Sequence, residues 1–143
     1  MWSNPKTAEE VEADVYAWLK PSLSVSGFVY RKGTRPTGRG AYEDAVVSFL
    51  SGLDAQVQTG VVVLNVYVPF IITGDNYRVK DVRRCTEVTR MLLDIVRTKT
   101  APEGYYFETD RTAETAEEED CSRCTIRIKY KYNAYYGNRN SLG

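Results

Sequence analysis

The sequence predicts a single α+β domain in which a mainly antiparallel sheet of four to five strands packs against two helices, in the order α-β-β-β-α-β-β. Residues 124–136 alternate between an Ile, Tyr, Cys and Ala side and a Thr, Arg, Lys and Asn side, which is typical of a strand with one wet face. Residues 56–68 form the longest β-rich stretch, and two segments carry apolar residues at helical spacing. The length of 143 residues is that of one domain, so we expect residues 1–143 to form one unit.

The first element is an amphipathic helix over about residues 8–20. Residues 7–10, Thr-Ala-Glu-Glu, match a capping box in which the Thr7 hydroxyl and the Glu10 carboxylate each accept from the other residue's amide. Pro21 ends the helix because it has no amide hydrogen and disfavours a helical residue before it.

Three strands follow this helix. Residues 25–31 predict a short strand, and the glycine-rich residues 32–40 predict a mobile loop. Residues 43–50 predict a second strand. Residues 56–68 are apolar on both faces, so we expect a central strand or one that a helix or a neighbouring subunit covers on its second side.

The main helix is predicted over about residues 77–98, after the turn residues 73–76. Its solvent face carries six basic residues against three acidic ones. A strand over 105–109, an acidic loop over 113–120 and a terminal strand over about 124–136 complete the domain.

Composition excludes several classes of function. Without histidine, the chain cannot supply a Ser-His-Asp or Cys-His catalytic system, a histidine metal site or a histidine pH switch. Equal numbers of basic and acidic residues disfavour a strongly basic nucleic-acid binder. We find no secretory signal pattern and no apolar run near the roughly 20 residues of a membrane helix. The odd number of cysteines fits a reducing compartment.

Three motifs suggest chemistry, and in each the pattern favours a structural role. Cys121 and Cys124 have the spacing of a metal or redox pair, but they open a strand, so we expect Cys124 in the core, with an intersubunit, redox or metal role as the alternative. The glycines of residues 33–40 lack the P-loop pattern, so a flexible connection is expected, with partner or DNA contact as the alternative. Glu43 and Asp44 are strand neighbours that project to opposite faces, so we expect solvated carboxylates at a sheet edge.

In this order of elements the chain resembles the tail terminator proteins of tailed bacteriophages and related prophages, also called tail-completion or neck proteins. The resemblance covers residues 7–134. Its carriers are residues 15–20 of the opening helix, Arg35-Pro36 before residues 43–47, the strand 60–69 and the alternating terminal strand. Members of this family are small α+β domains with a long helix packed on an antiparallel sheet, so the resemblance implies the same fold.

The resemblance also implies a non-enzymatic virion structural protein with no catalytic, cofactor or metal site. Such a protein forms a homohexameric ring that caps the tail tube, stops its growth and joins the head. The implied partners are further copies of the chain, tail-tube and head-connector proteins, and DNA that passes through the ring. The implied location is the host cytoplasm during assembly and then the virion, without membrane contact.

We expect the subunit or partner interface to join a basic surface of one subunit to an acidic surface of the next, since ring subunits present two different faces to their neighbours. The candidate residues are Arg35, Arg39, Arg127, Lys129 and Lys131 on the basic side, and Glu117, Glu118, Glu119 and Asp120 on the acidic side. An alternative function is a nucleic-acid-binding accessory protein that uses the basic face of the main helix, Arg83, Arg84 and Arg90.

Overall fold

One face of a six-stranded sheet carries both helices in this computed structural model, which describes residues 5–53, 57–110 and 113–133. The fold is of the predicted α+β class. The helices are Ala8–Leu19 (α1) and Val82–Thr98 (α2). The strands are Val29–Arg31 (β1), Asp44–Leu53 (β2), Val57–Pro69 (β3), Ile71–Ile72 (β4), Arg78–Val79 (β5), Tyr105–Thr109 (β6), Glu114–Glu117 (β7) and Cys121–Asn133 (β8).

The main sheet runs β1-β2-β3-β8-β6, and β7 also pairs with β8. The central strand β3 pairs with β8 over its full length, from Val57 opposite Asn133 to Pro69 opposite Cys121. Strands β4 and β5 form a separate hairpin. The described residues therefore contain more strands than the four to five predicted, because β4, β5 and β7 are too short to show a period of two.

Strand β1 pairs with β2 in parallel, and all other described strand pairs are antiparallel. Parallel strands need a crossover connection, so the chain between β1 and β2 cannot turn back as a hairpin. Strand β1 begins at Val29, four residues after the predicted start at 25. Before it, the Gly27 amide still donates to the Glu43 carbonyl at 2.8 Å, so the chain already lies beside the start of β2.

The core lies between the helices and the inward face of the sheet. Both helices turn an apolar stripe to the sheet, and β3 and β8 each contribute alternate residues. The fully or almost fully buried side chains include Val11, Val15, Leu19, Val47, Val62, Leu64, Val66, Val88, Leu92, Ile126, Ile128 and Tyr130. Burying each such side chain contributes roughly 1.5–3 kcal/mol, so this interface supplies most of the fold's stability.

Helix α2 begins at Val82, five residues after the predicted start at 77. Asn76 has a φ of 65°, and the Thr73 amide donates to the Tyr77 carbonyl at 2.8 Å, which closes a turn between β4 and β5. The Asp81 carboxylate then caps the helix by accepting from the Arg84 amide at 3.1 Å. Residues 73–76 resemble a helix start in the sequence, but in the structure they close a hairpin.

The last strands also differ from prediction in their ends. The acidic segment 113–120 contains a strand, β7, that pairs with β8, and only the turn after it is a loop. Strand β8 begins at Cys121 rather than 124, and the predicted residues 134–136 lie outside the described residues. Within the described part of the chain, neither helix has the length and apolar character to cross a membrane.

Candidate assembly surface

The sheet face opposite the helices is the candidate functional surface, and we call it the open face. Cross-strand register arranges its side chains in five rows across the sheet. In order along the strands they are Asp44-Tyr67-Arg123, Val46-Asn65-Thr125-Glu114, Ser48-Val63-Arg127, Ser51-Val61-Lys129-Glu108 and Leu53-Thr59-Lys131-Tyr106. No helix covers these rows, so their surroundings depend on the loops and on any partner.

A cationic stripe runs along β8 on this face, formed by Arg127, Lys129 and Lys131. Lys129 and Lys131 are exposed, and Arg127 is half-buried beside Val63. The Lys129 ammonium lies 3.9 Å from the Glu108 carboxylate, a marginal surface ion pair. Within the described residues, Arg127 and Lys131 have no carboxylate within 4 Å, so the stripe keeps net positive charge beside β3.

The loop between β1 and β2 covers one end of the open face and is anchored there by two arginines. Arg39 donates to both oxygens of Asp44, at 2.8 and 2.9 Å, and Arg35 donates to the same carboxylate at 3.0 Å. The Arg35 guanidinium also stacks 4.3 Å from the centre of the Tyr67 ring. The two arginines therefore anchor the loop to the sheet, whereas the sequence predicted a mobile loop with Arg35 and Arg39 in an interface.

Asp44 is completely buried, contrary to the expected solvated carboxylate. Burial alone would raise its pKa, but hydrogen bonds from Arg39, the Phe28 amide and Arg35 outweigh burial and lower the pKa from 3.8 to about 2. The carboxylate is therefore ionised throughout the ordinary pH range. It is a structural charge that fixes where the loop sits.

Glu43 points to the other side of the sheet and is also buried. Its carboxylate accepts from Arg84 of α2 at 2.8 and 2.6 Å, in a two-pronged geometry that is among the stronger ion pairs in proteins. The prediction that Glu43 and Asp44 project apart is consistent with this arrangement, but the predicted solvation is wrong. Arg84 is therefore bound to Glu43 and does not contribute a free charge to the basic face of α2.

The acidic residues of the proposed interface have partners within the same chain. Glu117 lies 3.4 Å from Lys80, Glu118 lies 3.5 Å from Arg123, and Asp120 lies 3.1 Å from Arg78. Glu119 is exposed in the turn between them. These are exposed pairs of low strength, so they orient the turn without removing it from the surface.

Cys121 and Cys124 do not come together. They pair with Pro69 and Val66 of β3, an odd number of residues apart, so their side chains project to opposite faces of β8. Cys124 is buried in the core, and its pKa is raised to about 12 by burial and by the neighbouring thiol of Cys85. Among the described residues, no three His, Cys, Asp or Glu side chains are grouped to hold a metal ion.

The structure thus brings together Arg127, Lys129 and Lys131 and moves Arg35 and Arg39 into an internal ion-pair cluster with Asp44. Sequence reasoning missed that cluster. The available signal was two arginines four residues apart in a loop that leads to an acidic strand start. The sequence alone does not show whether these arginines contact Asp44, because the distance between them depends on the path of the loop across the sheet.

No protein-family model matches the sequence, and no curated protein matches it. The fold and the surface define an α+β protein whose sheet is backed by two helices on one side and presents a partly apolar, partly cationic face on the other.

Proposed function

We propose that the protein is a non-enzymatic structural subunit of a tailed phage or prophage, a tail terminator or head-tail joining protein that forms a ring on the tail tube. The observation that carries the proposal is the open face, where the cationic stripe of β8 lies directly beside Val61 and Val63 of β3. Apolar side chains next to charges that lack full partners are typical of a protein-protein interface with a dry centre and a polar rim.

The order of elements supports the same proposal. A helix, an antiparallel sheet, a long helix on that sheet and further C-terminal strands are the layout of the family that the sequence resembles. The first helix has the expected capping box, with the Thr7 hydroxyl accepting from the Glu10 amide at 3.1 Å. A likeness of layout supports the fold more strongly than the function.

Charge reversal on the stripe tests the proposal. We expect the wild-type protein to form rings in negative-stain images and an oligomer of matching mass in light scattering. The double variant Lys129→Glu/Lys131→Glu places like charges against Glu108 and any acidic partner surface, so we expect its assembled mass to fall. The matched control is Arg90→Glu/Arg97→Glu, which makes the same charge change at exposed positions of α2, on the other side of the sheet.

Three results decide between the outcomes. A smaller mass for the stripe variant with an unchanged control supports the stripe as an assembly surface. An unchanged oligomer in both variants removes the stripe from the proposal. Wild-type protein that forms no ring, alone or with tail tubes, contradicts the proposed function.

A nucleic-acid-binding accessory function is the second candidate. Arg83 is 92% exposed at its side chain and Arg90 is also exposed on α2, whereas Arg84 is bound to Glu43. DNA affinity that falls steeply between 50 and 200 mM salt, and falls further in Arg83→Ala/Arg90→Ala, would favour this function. Binding that is absent at low salt would exclude it.

A further inference from the structure

The two outer edges of the main sheet differ in how their main-chain groups are bonded. At the β1 edge, side chains of the same chain occupy the groups that point outward. The Val29 carbonyl accepts from the Tyr16 hydroxyl at 3.3 Å, and the Arg31 amide donates to the Thr34 hydroxyl at 3.2 Å. The Arg31 carbonyl also accepts from the Thr34 amide at 3.0 Å. These bonds leave little main chain with which another strand could pair.

The other outer edge belongs to β6, and two main-chain bonds show which of its residues point to β8. The Gly104 carbonyl accepts from the Asn133 amide at 3.0 Å, and the Asp110 amide donates to the Arg127 carbonyl at 2.9 Å. Hydrogen-bonded pairs alternate in an antiparallel ladder, so the even-numbered residues of β6 bond to β8. The odd-numbered residues therefore point their main-chain groups to the outer edge.

These outward groups form a set that can pair with itself. The Tyr105 amide already donates to the Pro102 carbonyl at 2.9 Å. Within the described residues, the Tyr105 carbonyl, the Phe107 amide and carbonyl and the Thr109 amide have no hydrogen-bond partner. A second β6, related by a two-fold axis at Phe107, supplies a partner for each of them. The Phe107 residues bond to each other in both directions, and each Thr109 amide donates to the other copy's Tyr105 carbonyl.

The side chains on the open face of β6 are complementary in the same arrangement. Tyr106 of one copy lies directly opposite Glu108 of the other. Tyr106 is 56% exposed and lies beside Lys131, whose ammonium is 5.8 Å from the ring centre. Glu108 lies beside Lys129. Each row across the contact therefore contains Lys131, Tyr106, Glu108 and Lys129 in that order, so the carboxylate lies between two lysines and no like charges are directly opposite.

We propose that β6 pairs with β6 of a second copy of the same chain, antiparallel about Phe107, so that two six-stranded sheets join into one. The match of hydrogen-bonding groups and of charges across the two-fold axis identifies a second copy as the partner. A two-fold contact is complete with two copies, so it differs from the head-to-tail contacts of a ring. It goes beyond the proposed function and does not rest on it.

Charge changes at position 106 test the pairing, with analytical ultracentrifugation over a range of concentrations to measure the dimer. Tyr106→Glu places a carboxylate opposite the other copy's Glu108 twice in each dimer, so we expect roughly tenfold weaker association. Tyr106→Lys is the matched control, since it removes the same ring but attracts Glu108, and its dimer should persist. Within one chain the two changes act in the opposite sense, because position 106 lies beside Lys131.

Two further variants test the charges and the main chain separately. Tyr106→Glu/Glu108→Lys exchanges the charges across the contact and should restore the dimer. Thr109→Pro removes an amide that points outward, and proline is tolerated on an edge strand where its nitrogen faces solvent. We expect this variant to be a folded monomer, with circular dichroism as the check on folding.

The outcomes separate this inference from the proposed ring. A wild-type chain without a dimer at any concentration would overturn the edge pairing, and so would Tyr106→Glu that associates as tightly as Tyr106→Lys. Rings observed together with either result would leave the ring function standing. A wild-type dimer that responds to these variants as expected, but forms no ring with tail tubes, would support the edge pairing and contradict the ring.

Discussion

Asp44 shows how one buried charge can organise a surface. Its carboxylate receives three arginine hydrogen bonds and the Phe28 amide, which together outweigh the cost of burial. Through Arg35 and Arg39 it determines the position of the whole connection between β1 and β2. A residue that sequence reasoning placed in solvent is therefore a main determinant of the open face.

Replacing Asp44 with Asn should lower the free energy of unfolding at pH 7 by roughly 2–4 kcal/mol. The amide keeps an acceptor for Phe28 but leaves two guanidinium groups without a counter-charge. Arg35 and Arg39 retain exposed fractions of 21% and 17%, so the loss should lie below that for a fully buried pair. Urea denaturation measures it, with Asp75→Asn in the exposed turn as the control.

Wild-type protein and Asp44→Asn should also differ in how their free energies of unfolding depend on pH. The folded pKa of Asp44 is about 2 and its ordinary value is 3.8, so its contribution to stability is present above about pH 4 and is lost as the pH falls through 2. Wild-type stability should decline over this window by more than that of Asp44→Asn. If stability fell equally with pH in the two proteins, Asp44 would not form an ion pair with Arg35 and Arg39.

Gly60 is required by a close approach between strands. A methyl group at this position would lie 2.2 Å from the Ser51 carbonyl oxygen and 2.7 Å from the Tyr130 ring. We expect Gly60→Ala to lower the free energy of unfolding by about 1–3 kcal/mol, towards the upper value because backbone must move. Gly74→Ala has nothing within 4 Å of the added methyl and should be nearly neutral in the same thermal unfolding measurement.

At the scale of elements, side-chain alternation explains why the two closely spaced cysteines of β8 act separately. An odd spacing on a strand sends Cys121 and Cys124 to opposite faces, and both thiols are buried. Burial raises the pKa of each thiol, and the adjacent Cys85 adds to the effect on Cys124. Strand β8 thus uses cysteine as a small apolar residue.

All three cysteines should react slowly with iodoacetamide at pH 8 while the protein is folded, and rapidly in denaturant. The reason is that burial limits access to the thiols and the raised pKa of Cys121 and Cys124 leaves little thiolate. Mass spectrometry of alkylated peptides measures this, and an exposed thiol introduced by Ser26→Cys should react at once. Fast labelling of Cys124 in the folded protein would indicate a reactive site.

The elements that the sequence predicted correctly are those whose own residues fix them. The capping box at Thr7 sets the start of α1, and the long alternation in β8 sets its buried face. The missed features depend on distant contacts. Strand β1 pairs in parallel through a long connection, and the hairpin β4-β5 has too few residues for a periodic pattern. The Asp44 cluster likewise depends on where the loop crosses the sheet, which no local spacing encodes.

At the scale of the whole molecule, stability and assembly should be linked. If subunits associate through the cationic stripe of β8, association stabilises the folded state by mass action. We therefore expect the wild-type unfolding temperature to rise by several degrees over a hundredfold increase in protein concentration. Lys129→Glu/Lys131→Glu should show a constant unfolding temperature in the same calorimetric series. A constant value for both proteins would contradict the linkage.

The full-length pairing of β3 with β8 has a mechanical consequence. These strands run from one end of the sheet to the other and are connected by thirteen consecutive residue pairs. Tension applied along the strands would therefore load the ladder in shear, so that many hydrogen bonds resist together rather than opening one after another. A domain with this construction resists stretching along the direction of its two longest strands.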